Sequence, residues 1–210
     1  MSLAIEDSSS LTLTSNMKLL SIDIETTGLC PRSCSVLEVG AVIFDPQPVK
    51  SDANSVRIEH TRPATFECLI KHSQIIGEPY AIQMNNEIIQ ELAGVKETHR
   101  QILTASQFTH HFGQWIVQNI GTDQKIHPCG KNYGSFDQQF LQKMPGWDAL
   151  VKPHLDFRSL DVGSLYFSPD DGKILGLPKC LEKIGCPGLV THRALDDALA
   201  VMTAITRFFN

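Results

Sequence analysis

No stretch of these 210 residues stays apolar long enough to cross a bilayer as a helix, although 42% of them are hydrophobic. The apolar fraction therefore goes into the core of one domain of ordinary size. The opening residues lack the charged-then-apolar pattern of a secretory leader, so a cytoplasmic protein with no membrane partner is expected. Positive charge is also scarce: 18 Lys and Arg against 23 Asp and Glu leave a net −5. That excludes a protein that coats duplex nucleic acid through many phosphate contacts, but not one that grips a few nucleotides. The six cysteines, at positions 30, 34, 68, 129, 180 and 186, include no Cys-x2-Cys pair. Their scatter argues against a structural zinc site built from Cys30, Cys34, Cys180 and Cys186, and for reduced thiols. There is no internal repeat.

What the chain does have is acid inside strand sequence. In Leu20–Glu25, the apolar residues Leu20, Ile22 and Ile24 alternate with Ser21, Asp23 and Glu25, the period-2 pattern of a strand. Asp23 and Glu25 then share a face, roughly 6–7 Å apart along the strand. Two carboxylates held so close repel each other and lose solvation unless a cation neutralises them. Gly28 lets the chain leave the strand with φ > 0 and bares backbone N–H groups beside the acids. Two further acidic segments lie downstream. Lys131-Asn132-Tyr133-Gly134-Ser135-Phe136-Asp137 follows a short apolar strand and opens a helix carrying Phe140 and Leu141. His192-Arg193-Ala194-Leu195-Asp196-Asp197 opens the last helix, which continues through Leu199, Met202 and Ile205.

Around these segments the pattern is mixed α/β. Residues 1–16 are Ser/Thr-rich and aperiodic and are expected to be a disordered tail or partly a cloning remnant, leaving residues 17–210 as a single domain. Strands are expected at 18–25, 36–44, 65–70, 126–130 and 155–158, with a loop or frayed hairpin over 45–64. Residues 78–92 read as two short helices broken at Asn85-Asn86, with Asn capping the second. A longer helix over 104–119 places Phe108, Phe112, Trp115 and Ile116 at helical spacing, as core rather than a base-stacking platform. A short helix over 179–184 is announced by Pro178, and Thr191 is the expected N-cap of the last helix. Strands first, then helices interleaved with short strands, predict a mixed sheet flanked by helices.

The three acidic segments, in this order and spacing, resemble the motifs of the DEDD superfamily of 3′→5′ exonucleases, in the DEDDh variant whose third motif is His-x4-Asp. The resemblance runs from about Met17 to Phe209. Its members include polymerase proofreading subunits, RNase T and oligoribonuclease. It implies a ribonuclease H-like fold with a five-stranded mixed sheet. It also implies a metal-dependent hydrolase that releases nucleoside 5′-monophosphates from single-stranded DNA or RNA 3′ ends, alone, as a homodimer or as a polymerase-associated subunit.

Phosphodiester hydrolysis needs an activated water and charge stabilisation on the attacking and leaving oxygens, which two divalent ions about 3.5–4 Å apart can provide. Hard cations such as Mg²⁺ or Mn²⁺ take oxygen ligands, and Asp23, Glu25, Asp137 and Asp197 offer them from three separate elements. The resemblance implies that Asp23 bridges two ions, that Glu25 and Asp197 assist at one of them, and that Asp137 stands mostly behind. His192 is the expected general base, since a histidine titrates at about 6.5 and can take a proton from water at neutral pH. The His-x4-Asp spacing selects Asp197, leaving Asp196 as a solvated or capping acid. By resemblance the backbone of Thr26, Gly28 and Leu29 receives the terminal nucleotide, with Leu29 against the last base. Asn132 is expected to order the second-motif turn on the substrate side. Lys131 and Arg193 are phosphate contacts or surface charges. Many relatives carry His-Asn a few residues before the second-motif acid, where this chain has Asn132 and Tyr133. Two other readings remain. One is an oligoribonuclease-like enzyme for very short RNA, which Arg158-Ser159-Leu160-Asp161-Val162 favours and Thr26 opposes. The other is a non-catalytic nucleic-acid-binding module, which would have no use for a repelling carboxylate cluster.

Overall fold

Alternation along the first strand decides which side of the sheet carries the chemistry. In the computed structural model, which describes residues 17–46 and 62–209, β1 (Leu19–Thr26) lies inside a six-stranded mixed sheet of order β4-β3-β2-β1-β5-β6. β2 (Val36–Phe44) pairs antiparallel with β1, and β3 (Ala64–Ile70) antiparallel with β2. β4 (Gln101–Leu103), β5 (His127–Gly130) and β6 (Leu160–Asp161) join in parallel. One face of β1, Leu20, Ile22 and Ile24, packs with Phe108, Phe112 and Ile116 of α3 (Ala105–Ile120). On the other face Leu19 packs under α7 (Leu177–Lys183) and α8 (Ala194–Phe209), where the Ser21 hydroxyl donates to the Ala198 carbonyl at 2.8 Å. Period 2 places Asp23 and Glu25 on this second face.

The sheet has six strands rather than the expected five. β4 is three residues long, too short to show a period in the sequence. The strand expected over 155–158 is a single bridge between Leu155 and Ile126. The Asp156 carboxylate then accepts from the Arg158 N–H at 2.8 Å, a local turn that ends the pairing until β6. The other elements fall where the periodicity puts them. α1 (Pro79–Met84) and α2 (Asn86–Leu92) are split at Asn85. Asn85 does not cap α2 with its side chain; its Nδ2 instead donates to the Thr26 carbonyl at 2.9 Å, tying the break to the end of β1. The aromatics of α3 are core: Phe108 and Phe112 are fully buried and stacked at 5.3 Å, and Thr104 closes a capping box with Gln107. α4 (Asp137–Leu141), α5 (Trp147–Leu150) and α6 (Val162–Leu165) are short connectors. Residues 1–16 and most of the expected 45–64 loop lie outside the described residues. Among the described residues, no helix is long and apolar enough to cross a membrane.

Thr191 is not the N-cap of α8. The first helical bond of α8 runs from the Asp197 N–H to the Arg193 carbonyl, so the helix starts two residues later than expected. The Thr191 N–H donates to Asp197 Oδ1 at 3.0 Å and its hydroxyl to Asp196 Oδ2 at 2.9 Å. The reason is His192, which takes φ 57 and turns the chain between Thr191 and the helix.

Candidate active site

Register and one glycine bring the three acidic segments together. Asp23 lies opposite Gly40 of β2 and Glu25 opposite Glu38. A Cβ on Gly40 would stand 2.1 Å from the Leu195 nitrogen and 2.2 Å from the Ala194 carbonyl carbon. The absent side chain therefore lets the first turn of α8 press onto the sheet directly beside Asp23. That contact delivers His192 and Asp197: donor atoms of Glu25, His192 and Asp197 all lie within 4.8 Å of one another. Among the described residues no other group of three His, Cys, Asp or Glu side chains comes this close, so the cysteines form no such cluster.

Asp137, the first residue of α4, is buried against β1, and the Ile24 backbone N–H supports its carboxylate. Asp23 and Asp137 are outside the 4.8 Å triad but within electrostatic reach of it. Asp23 sits on the floor of the site, ringed by protein yet still reached by solvent. Burial, then the charges of Asp137, Glu25, Asp197 and Glu38, hold its carboxyl well above the usual carboxylate range. Burial also pushes Glu25 up to about 7, with the Asp197 charge adding to it and the Asn85 hydrogen bond and Arg193 charge opposing. Burial and the Glu25 charge push Asp137 up to about 7. Asp197 is raised by burial, against the pull of the Thr191 N–H and His192. Four carboxyls all raised by burial have too little protein positive charge around them. An oxygen-rich donor set with an imidazole beside it fits hard divalent cations, which would supply that charge.

The substrate-side residues are held as follows. Thr26 is buried, its hydroxyl donating to the Gly28 carbonyl at 2.8 Å. Gly28 has φ 155, and a Cβ there would fall 2.7 Å from both Glu78 Cδ and Cys34 Sγ. The Leu29 side chain is 74% exposed at the mouth of this loop, while its N–H donates to Glu78 Oε1 at 3.0 Å. Asn132, at φ 66, accepts at its carbonyl from the Ser135 and Phe136 N–H groups and so shapes the second-motif turn. Two expected phosphate contacts are otherwise engaged. Lys131 pairs with Asp161 at 3.6 Å and with the Asn132 side chain, and Arg193 is bound by Glu87 and Glu91 at 3.2 Å each. Asp196 is exposed and accepts from the Thr191 hydroxyl.

Sequence reasoning missed the supports. Asp161 accepts from the Asn132 N–H at 2.7 Å and from the Ser164 N–H at 2.8 Å, locking the second-motif turn to the start of α6. Gly40 and Glu38 carried a signal, since a glycine and a lone acid interrupt the apolar run of β2. Asn85 carried only its pairing with Asn86.

The chain is similar to several known proteins. The RNase T exonuclease family model matches residues 20–205. The chain is 27% identical over 199 residues to a PolC-type DNA polymerase III of Thermotoga petrophila, covering 92% of this chain and 12% of that protein. It is 25% identical over 192 residues to the corresponding polymerase of Thermotoga maritima, covering 89% of this chain and 11% of that protein. The chain thus spans about one-eighth of the length of these curated relatives. Among solved structures, the nuclease domain of 3′hExo, a DEDDh family member bound to rAMP, superposes with TM-score 0.63 at 17% identity, covering 92% of both chains. Escherichia coli exonuclease I in complex with a dT13 oligonucleotide superposes with TM-score 0.59 at 17% identity, covering 90% of this chain and 40% of that one. These structures share the fold.

Proposed function

Because the chain belongs to the RNase T exonuclease family of the DEDD superfamily, we propose that it removes nucleotides one at a time from single-stranded 3′ ends and releases nucleoside 5′-monophosphates. The observation that carries this reading is the meeting of Glu25, Asp197 and His192 within 4.8 Å, beside the raised carboxyls of Asp23 and Asp137. Asp23, Glu25, Asp137 and Asp197 would hold two divalent ions, Mg²⁺ or Mn²⁺. When bound, such ions supply positive charge that polarises the scissile phosphate and eases deprotonation of water. His192, exposed at the rim, takes the proton from the attacking water. Thr26, Gly28 and Leu29 seat the terminal nucleotide, with Leu29 against its base, and Asn132 keeps the second-motif turn open on the substrate side. Residues 17–210 form the exonuclease domain. The PolC-type relatives support a role beside a polymerase, and the engagement of Lys131 and Arg193 by carboxylates supports a grip on few nucleotides.

A 5′-labelled single strand of DNA or RNA incubated with Mg²⁺ or Mn²⁺ tests the proposal. The expected result is a descending ladder that EDTA abolishes and that Asp23→Ala fails to produce. Early release of the labelled mononucleotide, or hydrolysis by Asp23→Ala in excess EDTA, would overturn it.

A further inference from the structure

Behind the acid cluster lies a second set of buried charges that the proposed chemistry does not use. Arg100 reaches Glu38 at 2.5 Å and also binds Glu91, whose side chains are 0% and 5% exposed. Arg193 joins the same group: its Nη2 lies 3.2 Å from Glu91 Oε1 and 3.2 Å from Glu87 Oε2, on successive turns of α2. Its Nη1 is buried 4.0 Å from Glu38 Oε2, and neither atom has a hydrogen-bond partner. The guanidinium therefore points back toward α2 and β2, its Nη2 donating to both α2 carboxylates.

The residue before it is His192, a non-glycine at φ 57. Such a conformation costs about 1–3 kcal/mol and persists only where its surroundings hold it. Among the described residues, no side-chain hydrogen bond holds the His192 ring itself, so the ring goes where the backbone of this turn puts it. The turn is clamped on both sides. Thr191 is fixed to Asp196 and Asp197, and Ala194 and Leu195 rest on Gly40. Arg193 supplies the remaining anchor, on α2.

We propose that Arg193 is a positioning residue: its guanidinium, seated on Glu87 and Glu91, holds the 191–195 turn in the conformation that presents His192 to Glu25 and Asp197. The inference rests on the role proposed above for His192. Arg100 also pairs with Glu38 and Glu91, so truncating Arg193 leaves both buried carboxylates a cationic partner.

The test measures kcat and KM for Arg193→Ala and Arg193→Lys, each in the wild-type and His192→Ala backgrounds, together with amide hydrogen exchange of residues 191–195. Displacing a catalytic group by about 1 Å costs about 10²-fold, so Arg193→Ala should lower kcat by about that factor and leave KM nearly unchanged. Arg193→Lys should recover part of the loss. In the His192→Ala background Arg193→Ala should cost nothing further, because the group it positions is gone. The 191–195 amides should exchange faster while the global unfolding midpoint holds. A raised KM with kcat kept would identify a phosphate contact and overturn the proposal. An equal loss in both backgrounds, or unchanged exchange, would also overturn it. If His192→Ala keeps wild-type turnover while the amides open, the proposed role of the histidine falls and the anchoring role of Arg193 stands.

Discussion

Replacing Glu25 by Gln should make the metal-free protein more stable at pH 8, because the burial of its carboxyl disfavours the charged form. Glu25 is buried and its carboxyl is pushed from 4.5 up to about 7 in the folded chain. A carboxyl raised in this way contributes fully below its unfolded value, and the contribution is lost as pH climbs to the folded value. Over about 2.5 pH units, at about 1.4 kcal/mol each, the lost stability reaches about 3 kcal/mol above pH 7. Glutamine carries no charge and avoids that loss, but it weakens the hydrogen bond from Asn85, worth about 1 kcal/mol. The net gain is about 2 kcal/mol at pH 8 and becomes a loss of about 1 kcal/mol at pH 4.5, where only the weakened hydrogen bond counts. Chemical denaturation in EDTA at both pH values reads it. Saturating Mg²⁺ should reverse the order, because the intact site gains about 2.7 kcal/mol at a hundredfold excess over its Kd. A variant that is destabilised in EDTA at pH 8, or equally stabilised at both pH values, refutes the view of Glu25 as a strained, cation-seeking acid.

Three other outcomes follow from the same geometry. His192→Ala should lower turnover by about 10²-fold, with metal affinity little changed in a calorimetric titration. Gly40→Ala places a carbon 2.1 Å from the Leu195 nitrogen, so α8 must shift. Activity should collapse even at temperatures where circular dichroism shows a folded protein, and the stability cost should be about 1–3 kcal/mol. A 3′-phosphate on the substrate should slow release of the terminal nucleotide, since it adds charge where the loop of Thr26, Gly28 and Leu29 would meet a free hydroxyl. Equal rates for 3′-hydroxyl and 3′-phosphate ends would remove that loop from the substrate site.

The parts legible in the sequence were those set by local periodicity. β1 and β2 could be placed because a half-buried strand must alternate or run apolar, and α3 because its aromatics recur at helical spacing. The split between α1 and α2 was visible at Asn85-Asn86, but not what Asn85 bonds. β4 and β6, at three and two residues, are strands only because a neighbour pairs with them. Thr191 looked like a cap because Thr commonly caps a helix. The left-handed turn at His192 made its N–H and hydroxyl donors to Asp197 and Asp196 instead.

By itself the sequence determined the acids, their shared strand face and their order along the chain, because side-chain direction in a strand follows from position alone. It therefore carried the chemistry: four carboxyls and a histidine that make sense together only around positive charge. Tertiary structure decided which of them meet and which cations remain free. Glu25 and Asp197 are 172 residues apart by their numbering, and they come together because Gly40 lets a helix lie on β2 with no side chain between. Arg193 looked able to meet a phosphate, yet the carboxylates of α2 claim it. Pairings across such separations depend on packing and long-range electrostatics, which local sequence does not encode.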